Sequence, residues 1–396
     1  MPSLRLMQTT LIILVGFAGV SQGLTLPLLA ILLEQQGVSS IANGVNAAAM
    51  YIGVMLVSPF LERLLQRLGY RGAIILGLIL LISTTVLIPL SSGLVVWFFL
   101  RLFMGSGDSL LHYNTQLWLT AIAPPEKRGR MLSIYGLAYG VGFSIGPLGI
   151  NLLPLGLWVP FVLVSILYTS SFFLLSRLKN VFPEPMGQQQ EGQNRFAYVF
   201  RYGWLALIPS FLYGYMESSL NGSFPIFGLR IGLSMETVSF LLPSFVLGAL
   251  ILQMPLGAWS DKVGRKKIMM SCAVIGGIAF ILFPLAQGSL WMMLLLLVIA
   301  GAVVGSFYSL GMAYAADILP SYMVPAVGVI VGVNFSAGSI VAPNLNGVLL
   351  GVSPGLMFTV MGLLLLAFAI AGIFFSVAAP HATRKKEEQA TQTQSI

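Results

Sequence analysis

Charge is what this chain has least of. Only 8% of its 396 residues are Asp, Glu, Lys or Arg, while 57% are hydrophobic. A soluble domain with a mean hydropathy of +0.92 would leave more hydrocarbon on its surface than water accepts, so lipid is the solvent for much of it. Cysteine is nearly absent. The lone Cys272 sits in an apolar run, which excludes an internal disulfide and any multi-cysteine metal site. No nucleotide-binding loop, metal-ligand cluster or nucleophile–base spacing is present, so neither ATP hydrolysis nor other enzyme chemistry is expected, and no cofactor or metal is implied. Acids are scarcer than bases, 12 against 20, for a net charge of +8. In a soluble protein that balance points to nucleic acid. Here the bases fall in short loops between apolar runs, and the expectation is a membrane protein with no nucleic-acid partner.

What the chain has in quantity is long apolar runs. A span needs roughly 20 such residues. Twelve runs qualify, at about 8–33, 42–61, 72–91, 94–121, 131–153, 157–176, 202–227, 237–259, 268–287, 290–316, 325–350 and 355–378. The first is too long for a signal-peptide core and has no clear cleavage site, so it reads as a retained span. The one long polar interior stretch is 177–201, and it separates six spans from six. The expected fold is an all-α membrane protein with twelve transmembrane helices in two six-helix bundles. Residues 1–176 form the first bundle, 177–201 a cytoplasmic linker, 202–380 the second bundle, and 381–396 a disordered cytoplasmic tail. With the N-terminus in the cytoplasm, eighteen of the twenty Lys and Arg fall inside. Arg230 falls outside and Arg101 within a span. That asymmetry predicts both termini in the cytoplasm of a cell membrane. The compact loops point to a bacterial inner membrane.

The halves repeat. "GAWSDKVGRKK" (257–267) has a worn copy in "ERLLQRLGYR" (62–71). Asp261, Gly264 and Lys266 align with Gln66, Gly69 and Arg71 at an offset of 195 residues. Pro147 aligns with Pro343, and Gly105 with Gly301, at an offset of 196. Parallel repeats of this kind place a substrate cavity at their interface, near the bilayer midplane.

These residues carry a resemblance. "GAWSDKVGRKK" resembles the loop motif G-x-x-x-D-R/K-x-G-R-K/R-R/K of the major facilitator superfamily, in one of the two places where that family has it. The resemblance covers nearly the whole chain. It implies that Gly257, Asp261, Lys262, Gly264 and Arg265 form a cytoplasmic latch on a rocking pair of bundles. Physically, Gly257 permits close helix approach, Asp261 can accept from Arg265 or from helix N-terminal amides, and the cations face the anionic leaflet. The residues alone equally allow a simple topology anchor.

Span 4 begins Arg101-x-x-x-Gly105-x-Gly107, which resembles the superfamily motif R-x-x-x-G-x-G associated with proton-coupled members. Arg101, Asp108, His112 and Thr115 are 7, 4 and 3 residues apart, which puts them on one helix face. Charge at membrane depth is costly, so that face should look onto a cavity or the protein interior. The plainer alternatives are Arg101 bonded to backbone carbonyls, Asp108 anchoring packing and His112 as an ordinary interior histidine. In span 5, Gly142-x-x-x-Gly146-Pro147-x-Gly149 resembles the antiporter motif G-x-x-x-G-P-x-G-G, with Ile150 at the last position. It is expected to pack helices tightly, either to seal the cavity against proton leak or as plain glycine packing. In span 7, Tyr213, Glu217 and Asn221 recur at i, i+4 and i+8. Glu217 is expected either to exchange a proton or to stay neutral as a structural acid. Gln22, Thr25, His112, Tyr113, Tyr213, Asn221, Tyr308, Asn334 and Asn344 are the candidate cavity wall. Asp317 is expected to serve as a latch or cap, and Pro343 to break span 11.

The resemblance is closest to the proton-coupled drug-efflux branch. It implies a secondary active transporter in which Arg101, Asp108 and Glu217 couple proton movement to efflux of a small lipophilic or cationic compound. The expected partners are that small molecule, protons and membrane lipid, with the chain acting as a monomer. A proton-coupled nutrient importer and a non-transporting membrane sensor on the same fold are the alternatives.

Overall fold

The computed structural model describes residues 4–124, 127–183, 195–320 and 323–375. The expected tail and part of the expected linker lie outside the described residues. Among the described residues there is no strand. The chain forms helices α1 (Leu4–Gln35), α2 (Ser40–Val57), α3 (Leu61–Leu90), α4 (Leu94–Ile122), α5 (Arg128–Ile145) and α6 (Trp158–Ser176). Then follow α7 (Arg195–Ser218), α8 (Phe224–Arg230), α9 (Met235–Val263), α10 (Arg265–Leu282), α11 (Leu290–Val304), α12 (Phe307–Ile318), α13 (Val324–Val352) and α14 (Leu356–Phe374).

Ten helical stretches among the described residues are long and apolar enough to cross a membrane. One of them, Ser40–Leu90, contains 51 residues. At about 1.5 Å per residue that is more than twice the roughly 30 Å of a hydrocarbon core. It is broken near its middle, where Gly69 takes a left-handed φ of 70°. The stretch that carries Arg201 and Glu217, α7, is not among the ten.

The chain divides into two compact units. The first contains Met1–Gly187, Ser218–Leu247 and Ile340–Met357, and the second Gln188–Glu217, Gly248–Ser339 and Phe358–Ile396. In the first unit α1 is heavily enclosed, with Leu11, Leu14, Val15, Ala18, Leu24 and Leu28 fully buried. Helix α4 packs between α2 and α3. In the second unit Phe280, Phe283, Phe307 and Phe358 are among the largest fully buried side chains.

Helices cross closely where glycines remove the side chain, and the crossings repeat. A Cβ on Gly53 would strike the Leu102 carbonyl. One on Gly248, 195 residues later, would strike the carbonyl of Val298, 196 residues after Leu102. Gly19 meets the Tyr139 carbonyl, and Gly214 likewise meets that of Phe335. The loop glycines Gly69 and Gly264 both have positive φ, 70° and 106°. Each loop then uses its aligned cation as a helix cap. Arg71 Nη1 donates to the Leu178 carbonyl just past α6 at 2.8 Å, and Lys266 Nζ donates to the Phe375 carbonyl just past α14 at 2.6 Å. Cations at helix C-termini meet both the dipole and the unsatisfied carbonyls.

Two local expectations are corrected. Helix α13 runs on through Pro343 without a break. Neighbouring backbone packs against that turn, since a Cβ on Gly44 would strike the Pro343 carbonyl, and packing of this kind supports a proline within a membrane helix. A Cβ on Gly257 would meet nothing within 4 Å, so Gly257 makes no close helix approach in this structure.

Candidate coupling site

Helix α4 carries Arg101, Asp108 and His112 down one face, but the structure separates them into two environments. Arg101 is 1% exposed. Its Nη1 donates to Asn46 Oδ1 on α2 at 3.3 Å, while Nε and Nη2 have no hydrogen-bond partner among the described residues. It forms no ion pair with Asp108, two turns further along.

Asp108 is 7% exposed and lies where α1, α4 and α5 meet. Gln22 Nε2 on α1 donates to Asp108 Oδ2 at 3.0 Å. His112 Nε2, one turn on, lies 3.5 Å from Asp108 Oδ1. The other imidazole nitrogen, Nδ1, is 2.7 Å from the hydroxyl of Tyr135 on α5. The Tyr139 hydroxyl donates to Gln22 Oε1, and the Tyr139 ring stands edge-on to His112 with centroids 5.0 Å apart. The result is a line of polar groups, Tyr135–His112–Asp108–Gln22–Tyr139, inside the first unit, in which the His112–Asp108 step is a close approach and not a hydrogen bond. The glycines hold it in place. Gly142 on α5 and Gly146 just past its end would collide with the α1 backbone at Gly16 and Val20 if they carried a Cβ. The Gly142, Gly146, Pro147, Gly149 motif therefore presses α5 onto α1, with Gly149 against the Leu24 side chain. At Gly146–Pro147 the α-helix gives way to a tighter 3-10 stretch that runs to Leu155.

The remaining sequence candidates divide among several places. The Thr25 hydroxyl donates to Ser21 O at 2.8 Å and Asn344 Nδ2 to Ile340 O at 2.7 Å, so each is bonded within its own helix. Tyr113 lies within electrostatic reach of Glu62 and Tyr70 on α3. In the second unit Tyr213 and Tyr308 both pack on Phe335, with centroids at 6.1 and 6.0 Å, and Asn334 Nδ2 reaches the Leu207 carbonyl at 3.3 Å. Glu217 is half-buried near the end of α7, immediately before the π-helical turn Ser219–Ser223 that contains Asn221. Such turns recur at functional sites because they re-aim side chains within a helix. Glu217 and Arg101 belong to different units.

The loop motif forms an ionic cluster within the second unit. Arg265 Nη2 is 2.8 Å from Asp261 Oδ1, and Arg265 Nε is 2.6 Å from Asp317 Oδ2. Lys262 lies in the last turn of α9 and Gly264 caps α10. The aligned loop of the first unit is built differently. Gln66 bonds only back to Glu62, at 3.1 Å, and Tyr70 stacks on Trp118 with centroids 5.8 Å apart. Sequence reasoning missed Tyr135 and Tyr139. Their i, i+4 spacing on span 5 was visible, but the helix they would face was not.

The model of the Major Facilitator Superfamily matches residues 11–234 and 206–396. A Bacillus subtilis (strain 168) protein described as the uncharacterized MFS-type transporter YfkF is 40% identical over 346 residues, 85% of this chain and 87% of that one. Among solved structures, the nucleoside transporter NupG superposes with a TM-score of 0.76 at 12% identity, over 93% of this chain and all of that one. A D-xylose-proton symporter superposes with a TM-score of 0.75 at 16% identity, over 93% of this chain and 97% of that one. At such identities the superpositions speak for the fold, while the family model and the 40% relative speak for descent. This multi-pass membrane protein, a transporter and not an enzyme, belongs to the major facilitator superfamily.

Proposed function

We propose that the protein is a proton-coupled secondary transporter that exports a small lipophilic or cationic compound by alternating access. In this reading twelve spans form two six-span bundles, 1–176 and 202–380, joined by a cytoplasmic linker, with both termini inside and the chain acting as a monomer. The Ser40–Leu90 stretch supplies two crossings, and α7 with α8 supplies another. The observation that carries the reading is Asp108. A carboxyl 7% exposed at membrane depth, held by an amide and beside an imidazole, is expensive unless its charge changes with the cycle. Arg101 and Glu217 complete the coupling set. Aromatic groups at Tyr213, Tyr308 and Phe335 suit a lipophilic cargo. A second reading, proton-driven import of a nutrient, gains support from the D-xylose-proton symporter of the same fold.

The test is accumulation of radiolabelled compounds in inside-out and right-side-out vesicles, with and without a pH gradient. Export predicts gradient-dependent accumulation in inside-out vesicles, and import predicts it in right-side-out ones. Asp108→Asn and Glu217→Gln should each abolish the gradient dependence while energy-independent exchange survives. Normal gradient dependence in both variants would remove these acids from the coupling mechanism.

A further inference from the structure

The hydroxyl of Tyr135 has two places to go. It lies 2.7 Å from His112 Nδ1 and 3.4 Å from the His112 carbonyl oxygen. A neutral imidazole that carries its proton on Nε2 accepts from Tyr135 at Nδ1 and points Nε2–H at Asp108. When a further proton binds, it occupies Nδ1. The Tyr135 hydroxyl then accepts from Nδ1–H and turns its own proton toward the carbonyl. No other atom has to move. One nitrogen faces Asp108 in both states, 3.5 Å from Oδ1. Gln22 holds the other carboxylate oxygen and is held in turn by Tyr139.

We infer that Asp108 and His112 form a single proton-binding unit, and that Tyr135 is the positioning residue that fits it to both protonation states. The role of the unit in transport rests on the proton-coupled reading above. The groups that face it are few. Helix α5 presents Tyr135 and Tyr139, α6 presents Tyr168 within electrostatic reach of Asp108, and α1 presents the uncharged Gln22. On α2, Tyr51 lies within electrostatic reach of Arg101, and on α3, Glu62 and Tyr70 lie within reach of Tyr113. Arg101 itself is directed to Asn46. The burial of Asp108 and the small number of facing groups mean that a proton gained by His112 is answered first by the Asp108 carboxylate. The proton comes from water and the imidazole keeps it, so only its charge and that of Asp108 are in play.

The chain has only two histidines, His112 and His381. In a His381→Gln background, nitrogen-15 histidine labelling therefore reports His112 alone, and the only ligand required is the proton. Titration of the purified protein from about pH 5 to 9 should show reversible protonation, with the neutral form on the Nε2–H tautomer. Asp108→Asn should change the pH dependence of the His112 signals, because the carboxylate that faces Nε2 is gone. Tyr135→Phe should mix the two neutral tautomers. An Nδ1–H tautomer in the parent protein, no titration in that range, or a pH dependence unchanged by Asp108→Asn would each overturn the inference, even if Tyr135→Phe failed to fold. No substrate enters this experiment, so its result stands apart from the vesicle assay. A titrating His112 in a chain without gradient-driven transport would sink the transport reading and leave the proton unit intact.

Discussion

Arg265 holds two acids, whereas Gln66, at the position aligned with one of them, holds only a neighbour in its own helix. The side chains of Asp261 and Asp317 are more than half exposed, so each pair contributes less than about 1 kcal/mol to folding. Asp261→Asn should therefore change the thermal midpoint little. If the cluster biases one state of the cycle, the same change should slow turnover severalfold at nearly constant substrate affinity. Gln66→Ala should alter neither. Equal damage from both changes would show that the asymmetry between the two loops carries no function. Single residues were legible in the sequence where cost revealed them: an acid and a histidine one turn apart in an apolar span, or a charge-dense loop between two oily runs. Polar residues without a cost to declare were not. Thr25 and Asn344 look like cavity residues by type, yet each is satisfied by a carbonyl four residues back in its own helix. Tyr113 follows His112 by one position, about 100° around the helix, and looks elsewhere. Tyr135 is the converse, an ordinary tyrosine by sequence that matters only because α5 lies against α4 and α1.

At the scale of the element, glycine decides which helices touch. The composition shows 43 glycines but not which of them make contact. Gly53 and Gly257 both lie in helices near a repeat loop, and residue type does not tell them apart. A Cβ on Gly53 runs into the Leu102 carbonyl, a backbone atom that cannot swing aside, whereas one on Gly257 meets open space. Gly53→Ala should therefore destabilise the purified protein by about 1–3 kcal/mol. Gly257→Ala should be neutral or stabilising by up to about 1 kcal/mol, because alanine is the better helix former. Unfolding in detergent, followed by thermal midpoint, separates the two. Similar midpoints would mean that α2 and α4 do not cross so closely. Gly248→Ala is the companion variant, since the same collision recurs there against Val298. The recurrence is the physical content of the internal repeat. The sequence aligned a few motif residues, and the helix crossings align with them. That the chain is a many-helix membrane protein was legible from apolar length, but the division into compact units was not, because parts of α9 and α13 belong to each.

For the whole molecule, the charge asymmetry left two exceptions, Arg101 within a span and Arg230 outside, and the structure gives Arg230 a carboxylate partner. Arg230 Nε and Nη2 meet the two Glu34 carboxylate oxygens at 2.8 and 3.3 Å, and Nη1 donates to the Leu350 carbonyl at 2.9 Å. The end of α1, the end of α8 and the last turn of α13 are thereby tied at one point. Around it Asn346 Nδ2 bonds the Ser219 hydroxyl at 2.8 Å, and Ser239 bonds Asn151 at 3.1 Å. Gly347 lies against the Ser40 backbone. A two-pronged Arg–carboxylate pair is stronger and more direction-specific than a single contact. In the proposed topology this point faces outward, and in the alternating-access reading the tie belongs to the state in which that face is closed. Alternating access requires it to open, so loss of the pair should raise the open population. Ala47 is 4% exposed, next to Gly222, and a cysteine placed there in a Cys272→Ser background should react slowly with a membrane-impermeant thiol reagent. Arg230→Gln or Glu34→Gln should speed that reaction severalfold, from the outer side of the membrane. The charge-swapped double variant Glu34→Arg with Arg230→Glu should slow it again, though not fully, because Glu cannot donate to the Leu350 carbonyl. Acceleration from the cytoplasmic side would reverse the orientation. Unchanged rates in both single variants would reduce the pair to a surface ornament of a face held shut by its glycine contacts alone.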